Sequence, residues 1–175
     1  MRCLILFRHA KAVPSDRAIR DYDRALDTRG RQDAPKMGAY MARHQLVPDL
    51  ALVSPAKRTR ETWELATPAF SIPPSVIYEE RLYDAPPQII LDVIKAAGGN
   101  ARRLVVVGHN PGIHQLASQL IATGDVDLRE QLREELPTSG LVTIEFPFED
   151  WIKLHPQAGR LDRFVTPKSL EKTPD

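Results

Sequence analysis

Two histidines stand directly after short apolar runs. His9 follows Cys3 to Phe7 (CLILF) and Arg8, and His109 follows Leu104 to Val107 (LVVV) and Gly108. A third apolar run, Leu50 to Val53 (LALV), leads into Ser54-Pro55, with Arg58 three residues beyond that proline. Arg8, Arg58, His9 and His109 can form one compact cationic pocket if the three runs lie side by side. Arginine offers fork-like paired hydrogen bonds that match phosphate oxygens. Phosphoryl transfer needs charge neutralisation on those oxygens and an in-line nucleophile. Histidine can be that nucleophile, forming a phosphoimidazole. Taken singly, each piece has an ordinary reading. A histidine after a strand is commonly a loop or core residue, Arg58 and Arg60 read as solvated helix charges, and Gly-His-Asn-Pro as a strand-to-helix turn.

The elements that would position these groups follow from hydrophobic patterning. The three runs, with a fourth at Leu141 to Phe146, have the length of strands buried on both faces. Helical patterns separate them. Thr28 would cap a segment reaching about His44, with Ala34, Met37 and Met41 inward and Pro35 imposing a kink or a late start. Ser54 reads as an N-cap with Pro55 in the first helical position, and Thr59, Thr62, Trp63 and Ala66 share the inner face. Pro86-Pro87 opens a helix through Ala97, stopped by Gly98-Gly99. Asn110-Pro111 opens another, with Ile113, Leu116, Ala117, Leu120 and Ile121 on one stripe and Gly124 as its end. This alternation predicts a three-layer α/β/α domain with a mostly parallel central sheet. In such sheets ligands bind at the carboxyl ends of the strands, where both histidines fall. Residues 1–165 read as one catalytic domain and 166–175 as a flexible C-terminal tail.

Composition narrows the alternatives. The chain has 175 residues, 24 Lys plus Arg and 23 Asp plus Glu, a net charge of +1 that argues against a general nucleic-acid surface. Its one cysteine, Cys3, excludes an internal disulfide framework and a multi-cysteine zinc site, and reads as a small core residue. No apolar run approaches the roughly 18 residues of a membrane span, and the run after the N-terminus is too short for a signal peptide. A cytoplasmic protein is the expectation. Trp63 reads as core and Trp151 as a partly exposed strand or edge residue. His44, His114 and His155 read as surface or structural. The segment Lys11 to Ala25 mixes four basic with three acidic residues. It reads first as a solvated loop and second as an adaptable rim around an open site.

Several ordered motifs resemble the histidine phosphatase superfamily, which includes cofactor-dependent phosphoglycerate mutases and histidine acid phosphatases. They are Arg8-His9, L-D-T-R-G at Leu26 to Gly30, S-P-A-K-R-T-R-E-T from Ser54, E-R-L-Y at Glu80 to Tyr83, V-V-V-G-H-N-P, and L-P-T-S-G at Leu136 to Gly140. The chain is most similar to the small SixA-type branch, the phosphohistidine phosphatases. The resemblance implies that His9 is the nucleophile, that Arg8, Arg58 and His109 bind the phosphoryl group, and that no metal or organic cofactor is needed. Glu80 stands where mutase-like relatives carry a general acid, with Asp84 as the alternative; a loop carboxylate beside Arg81 is the ordinary reading of Glu80. Imidazole is a good leaving group, so Glu80→Gln is expected to slow ester hydrolysis more than phosphohistidine hydrolysis. Two departures stand out. Ala10 replaces the family's glycine, which matters if that position needs a positive φ, and Asp27 replaces its threonine. The implied partner is a phosphorylated substrate, such as a histidine-phosphotransfer protein, with neither nucleic acid nor membrane. The alternatives are a small-molecule phosphomonoesterase of the same fold and a non-catalytic phosphoprotein-binding module.

Overall fold

Four apolar runs build the middle of the molecule because each buries both of its faces. In the computed structural model, which describes residues 1–172, they are β1 (Arg2–Arg8), β2 (Leu50–Val53), β4 (Arg103–Gly108) and β6 (Leu141–Phe146). Side chains alternate across the sheet. Leu4, Leu6, Leu52, Leu104, Val106, Val142 and Ile144 point to one hydrophobic layer, with helices α3 (Pro87–Ala97) and α4 (Gly112–Leu120). Ile5, Phe7, Ala51, Val53, Val105 and Val107 point to the other, with α1 (Thr28–Arg43) and α2 (Lys57–Ala66). Phe7 and Trp63 are fully buried there, each removal from water stabilising the fold by about 2 kcal/mol or more.

All seven strands join one sheet in the order β3-β2-β4-β1-β6-β7-β5, where β3 is Ser75–Tyr78, β5 Ile121–Gly124 and β7 Gly159–Val165. The β2–β3, β2–β4, β1–β4 and β5–β7 pairings are parallel, and β1–β6 and β6–β7 antiparallel. This is the three-layer, mostly parallel α/β/α architecture that the patterning predicts. Helix α5 (Val126–Glu134) joins β5 to the turn before β6. Among the described residues no helix is long and apolar enough to cross a membrane.

Several local expectations are corrected. Helix α1 starts at Thr28 but is capped by Asp27, whose carboxylate accepts the Gly30 N–H. Pro35 causes no late start: it and Arg31, whose carbonyl loses its donor, lie on the exposed side where water can compensate. Helix α2 begins at Lys57, because Ser54 is engaged with His109 and leaves the capping position to Ala56. Helix α4 ends at Leu120, and Ile121–Gly124 pairs with β7 as a strand instead of extending the helix. Trp151 is buried, its indole N–H donating to the Ala101 carbonyl at 2.7 Å. Cys3 is only half-buried. The segment read as a tail from 166 contains a further helix, α6 (Pro167–Lys172), with Pro167 buried and Leu170 packed on the α1–α2 layer. Residues 173–175 lie outside the described residues.

Candidate active site

Strand register brings the two histidines together. Phe7 pairs with Val107 and Arg8 with Gly108, so β1 and β4 end at the same level. The His9 N–H donates to the Gly108 carbonyl at 3.1 Å, and the Ser54 N–H donates to the Val107 carbonyl at 3.1 Å. Three adjacent parallel strands therefore deliver Ser54, His109 and His9 along one edge. The antiparallel β6 enters at this same end. Its leading turn is stitched to β1 by Arg8 N–H to Gly140 O and Ser139 N–H to His9 O, both 3.0 Å. Ser139 takes a left-handed φ of 62°, and its hydroxyl is buried without a hydrogen bond. Gly112 allows α4 to approach closely, since a Cβ there would lie 1.9 Å from the Ala85 carbonyl oxygen.

The His9 and His109 rings are 5.4 Å apart and both buried. His9 Nδ1 is 2.7 Å from the Ala10 carbonyl. A carbonyl only accepts, so Nδ1 carries the hydrogen and Nε2 the lone pair. Burial, with Arg58 and Arg8 nearby, lowers the His9 pKa to about 4 against the opposing Ala10 bond. Burial, then His9 and Arg58, lowers that of His109 to about 3. Both rings are neutral at pH 7. His109 Nε2 lies 2.8 Å from the Ser54 hydroxyl, and its buried Nδ1 has no partner.

The arginines flank this pair. Arg8 Nη1 donates to the Leu136 carbonyl at 3.0 Å, and its buried Nε is unpartnered. Arg58 is buried, and its terminal nitrogens donate to the Asp21 carbonyl at 2.8 Å and the Asp21 carboxylate at 3.0 Å. Its Nε is also buried and unpartnered. Thr62 ties the helix to the first strand end: its hydroxyl accepts the Ala10 N–H at 2.9 Å and donates to the Arg58 carbonyl at 2.7 Å. Ala10 is fully buried and is not among the positive-φ residues, so no glycine is required there. Its methyl group does not displace His9 from the pair.

Glu80 is not brought into the cluster. Its side chain is exposed and makes no hydrogen bond or ion pair among the described residues. Asp84 is closer, its carboxylate 3.9 Å from Arg58 Nη2, on a left-handed φ of 47°. Asp21 and Tyr83 are the groups that motif reading missed. The Tyr83 hydroxyl donates to Asp21 at 2.5 Å, and its ring stands edge-on to His109 at 5.5 Å. Burial and Asp21 push the Tyr83 phenol up to about 12, while the Tyr83 and Arg24 hydrogen bonds hold Asp21 far below the usual carboxylate range. Tyr83 belongs to the E-R-L-Y motif, so a signal for it existed; Asp21 is one acid in a mixed-charge run. His44 stacks on Tyr40, His114 meets the Leu132 carbonyl, and His155 is exposed, all away from the pocket. Among the described residues no cluster of three or more His, Cys, Asp or Glu side chains has metal-binding geometry. The turn beside Arg8 also lines, through Glu135, Pro137 and Thr138, a surface cleft of about 740 Å³ with Arg29 and Phe164.

The comparisons with known proteins agree with this arrangement. The chain is 34% identical over 163 residues to the uncharacterized protein Rv1276c of Mycobacterium tuberculosis, an alignment covering 92% of this chain and 99% of that one. It resembles the structure of a candidate phosphohistidine phosphatase SixA from Agrobacterium tumefaciens, with a TM-score of 0.79, 30% identity, and coverage of 95% and 98%. It also resembles a candidate SixA from Nakamurella multipartitia, with a TM-score of 0.82, 26% identity, and coverage of 95% and 96%. The model for branch 1 of the histidine phosphatase superfamily matches residues 4–85, the stretch that runs from β1 through Arg8-His9 and Arg58 to the turn after Tyr83. On that match, and on likeness along nearly the whole chain, this protein belongs to the histidine phosphatase superfamily.

Proposed function

We propose that the protein is a phosphatase that removes the phosphoryl group from protein phosphohistidine, through a covalent phosphohistidine on His9. The observation that carries this reading is the His9 tautomer. With Nδ1–H donating to the Ala10 carbonyl, Nε2 offers a lone pair beside two arginines and a second neutral histidine. In the first step Nε2 attacks phosphorus, a new N–P bond forms, and the substrate's N–P bond breaks. Its electron pair leaves with the substrate imidazole, which is neutral on departure when its other nitrogen is already protonated. The Ala10 carbonyl stabilises the positive charge that grows on the His9 ring. In the second step water attacks phosphorus, the His9 N–P bond breaks, and its electron pair returns to Nε2. Arg8, Arg58 and His109 bind the phosphoryl oxygens in both steps. For His109 to donate to a phosphoryl oxygen its hydrogen must sit on Nδ1, and the Ser54 hydroxyl, 2.8 Å from Nε2, can donate to the lone pair left there.

Leaving-group chemistry supports phosphohistidine over a phosphate ester. An alkoxide needs a proton, and with Asp21 held ionised and Glu80 exposed outside the cluster only Asp84, 3.9 Å from Arg58, is left to supply it. Imidazole needs no such donor. The named SixA relatives point the same way, and the reading takes the phosphoryl group to be presented on another protein, such as a histidine-phosphotransfer domain. The same reading assigns a reducing, cytoplasmic setting, in keeping with one unpaired cysteine.

The test is phosphate release from a phosphohistidine protein, with chelator present, by wild type and His9→Ala. The expected result is chelator-resistant release that the substitution abolishes. Release on phosphomonoesters alone would replace the substrate class. Tight phosphate binding without turnover or a trapped phosphoenzyme would leave a binding module instead.

A further inference from the structure

Arg58 has two hydrogen-bonding edges. Its end edge, Nη1 and Nη2, is committed to Asp21, one nitrogen to the backbone carbonyl at 2.8 Å and the other to the carboxylate at 3.0 Å. Its lateral edge carries the buried, unpartnered Nε. Asp21 is itself restrained on both carboxylate oxygens. The Tyr83 hydroxyl donates to Oδ2 at 2.5 Å, and Arg24 donates to Oδ1 at 2.8 Å. Tyr83 also stands 5.9 Å from the Arg58 guanidinium carbon and edge-on to His109. The Arg58 side chain is only 5% exposed, so it does not swing freely to meet an incoming anion. Asp21 belongs to the Lys11 to Ala25 segment, whose composition suggests a solvated loop.

We propose that Asp21 is a positioning residue for phosphoryl binding: it ties down the end edge of Arg58 so that the lateral edge is presented to the phosphoryl oxygens. The proposal rests on the reading of Arg58 as a phosphoryl-binding group. A planar guanidinium fixed at one end has its remaining donors set in direction, and that preorganisation is what a carboxylate–arginine pair supplies. The opposite role, a carboxylate that competes with phosphate for Arg58, predicts tighter oxyanion binding when Asp21 is removed.

Orthovanadate binding by calorimetry separates these roles, using wild type, Asp21→Ala, Asp21→Asn, Arg58→Ala and the Asp21→Ala/Arg58→Ala double variant. Asp21→Ala is expected to weaken binding about tenfold, as loss of a charge-assisted restraint. Asp21→Asn, whose amide oxygen still accepts from Arg58 and Tyr83 while its NH2 group loses the bond to Arg24, is expected to weaken binding less than Asp21→Ala. In the Arg58→Ala background, Asp21→Ala is expected to have no further effect, which a general structural role would not produce. Tyr83→Phe removes one restraint on the carboxylate and is expected to weaken binding less than Asp21→Ala, by the same Arg58-dependent route. Unchanged or tighter binding by Asp21→Ala, or a loss that adds to that of Arg58→Ala, overturns the proposal. If Arg58→Ala itself binds orthovanadate like wild type, the reading of Arg58 fails first. If only Arg58→Ala loses affinity, Arg58 stands and Asp21 does not.

Discussion

Replacing His9 and His109 together by glutamine should flatten the pH dependence of folding stability between about pH 7.5 and pH 5. Both rings have pKa values depressed by burial, to about 4 and about 3 from an ordinary value of 6.5. The unfolded chain therefore takes up protons first as pH falls. The stability linked to these rings is fully present above pH 6.5 and is lost as pH drops toward the folded values. At pH 5 each ring in the unfolded chain lies about 1.5 units below its ordinary pKa, while the folded rings remain neutral. At 1.36 kcal/mol per unit this costs about 2 kcal/mol per ring, or about 4 kcal/mol for both. That is a large part of the 5–15 kcal/mol typical of a domain. The depressed Asp21 carboxylate acts in a lower window, below its ordinary value of 3.8. The assay is urea unfolding in phosphate-free buffer at several pH values, because a bound anion would shift both titrations. Wild type should lose about 4 kcal/mol across the window and the double variant far less. A wild-type loss under about 1 kcal/mol, or equal losses in both proteins, would refute neutral burial of the pair.

Two predictions concern the chemistry directly. Ser54→Ala should lower kcat/KM on a phosphohistidine protein about tenfold and cost about 1–3 kcal/mol of stability, because Ser54 is fully buried and its hydroxyl is the partner of His109 Nε2; an unchanged rate constant would remove its orienting role. On a phosphomonoester, Asp84→Asn should lower kcat about tenfold while Glu80→Gln stays within about twofold, since of these two only Asp84 approaches Arg58. The reverse ranking, read from initial rates, would restore Glu80 as the acid that the E-R-L-Y motif suggests.

The legibility of the fold followed burial. β1, β2, β4 and β6 are apolar on both faces, so each appears as an unbroken run. β3 is a sheet edge whose four residues are all exposed, and leaves no such trace. β5 was hidden because Ile121 continues the helical spacing of Leu116, Ala117 and Leu120; pairing with β7 overrode the local pattern. In the candidate site, Arg8, His9 and His109 stood out because each sits at or just beyond a strand end, and Arg58 because it lies in the first turn of the helix that follows β2. The tasks of Ser54, Asp21 and Tyr83 depend on contacts that no local pattern encodes: Asp21 meets Tyr83 across 62 residues and Arg58 across 37.

The strand order also decides when the pocket can exist during folding. β4 lies between β1 and β2, although it follows both in the chain. The Ser54–His109 contact closes a separation of 55 residues, and the Arg8–Leu136 contact one of 128. Each closure costs chain entropy before its hydrogen bond forms, so such contacts belong to slow, cooperative assembly. A fragment ending near Ala85 keeps Arg8, His9 and Arg58 but lacks the strand that holds their carriers side by side. Oxyanion binding is therefore a probe of the completed central sheet, and its return on dilution from urea should track the recovery of global structure.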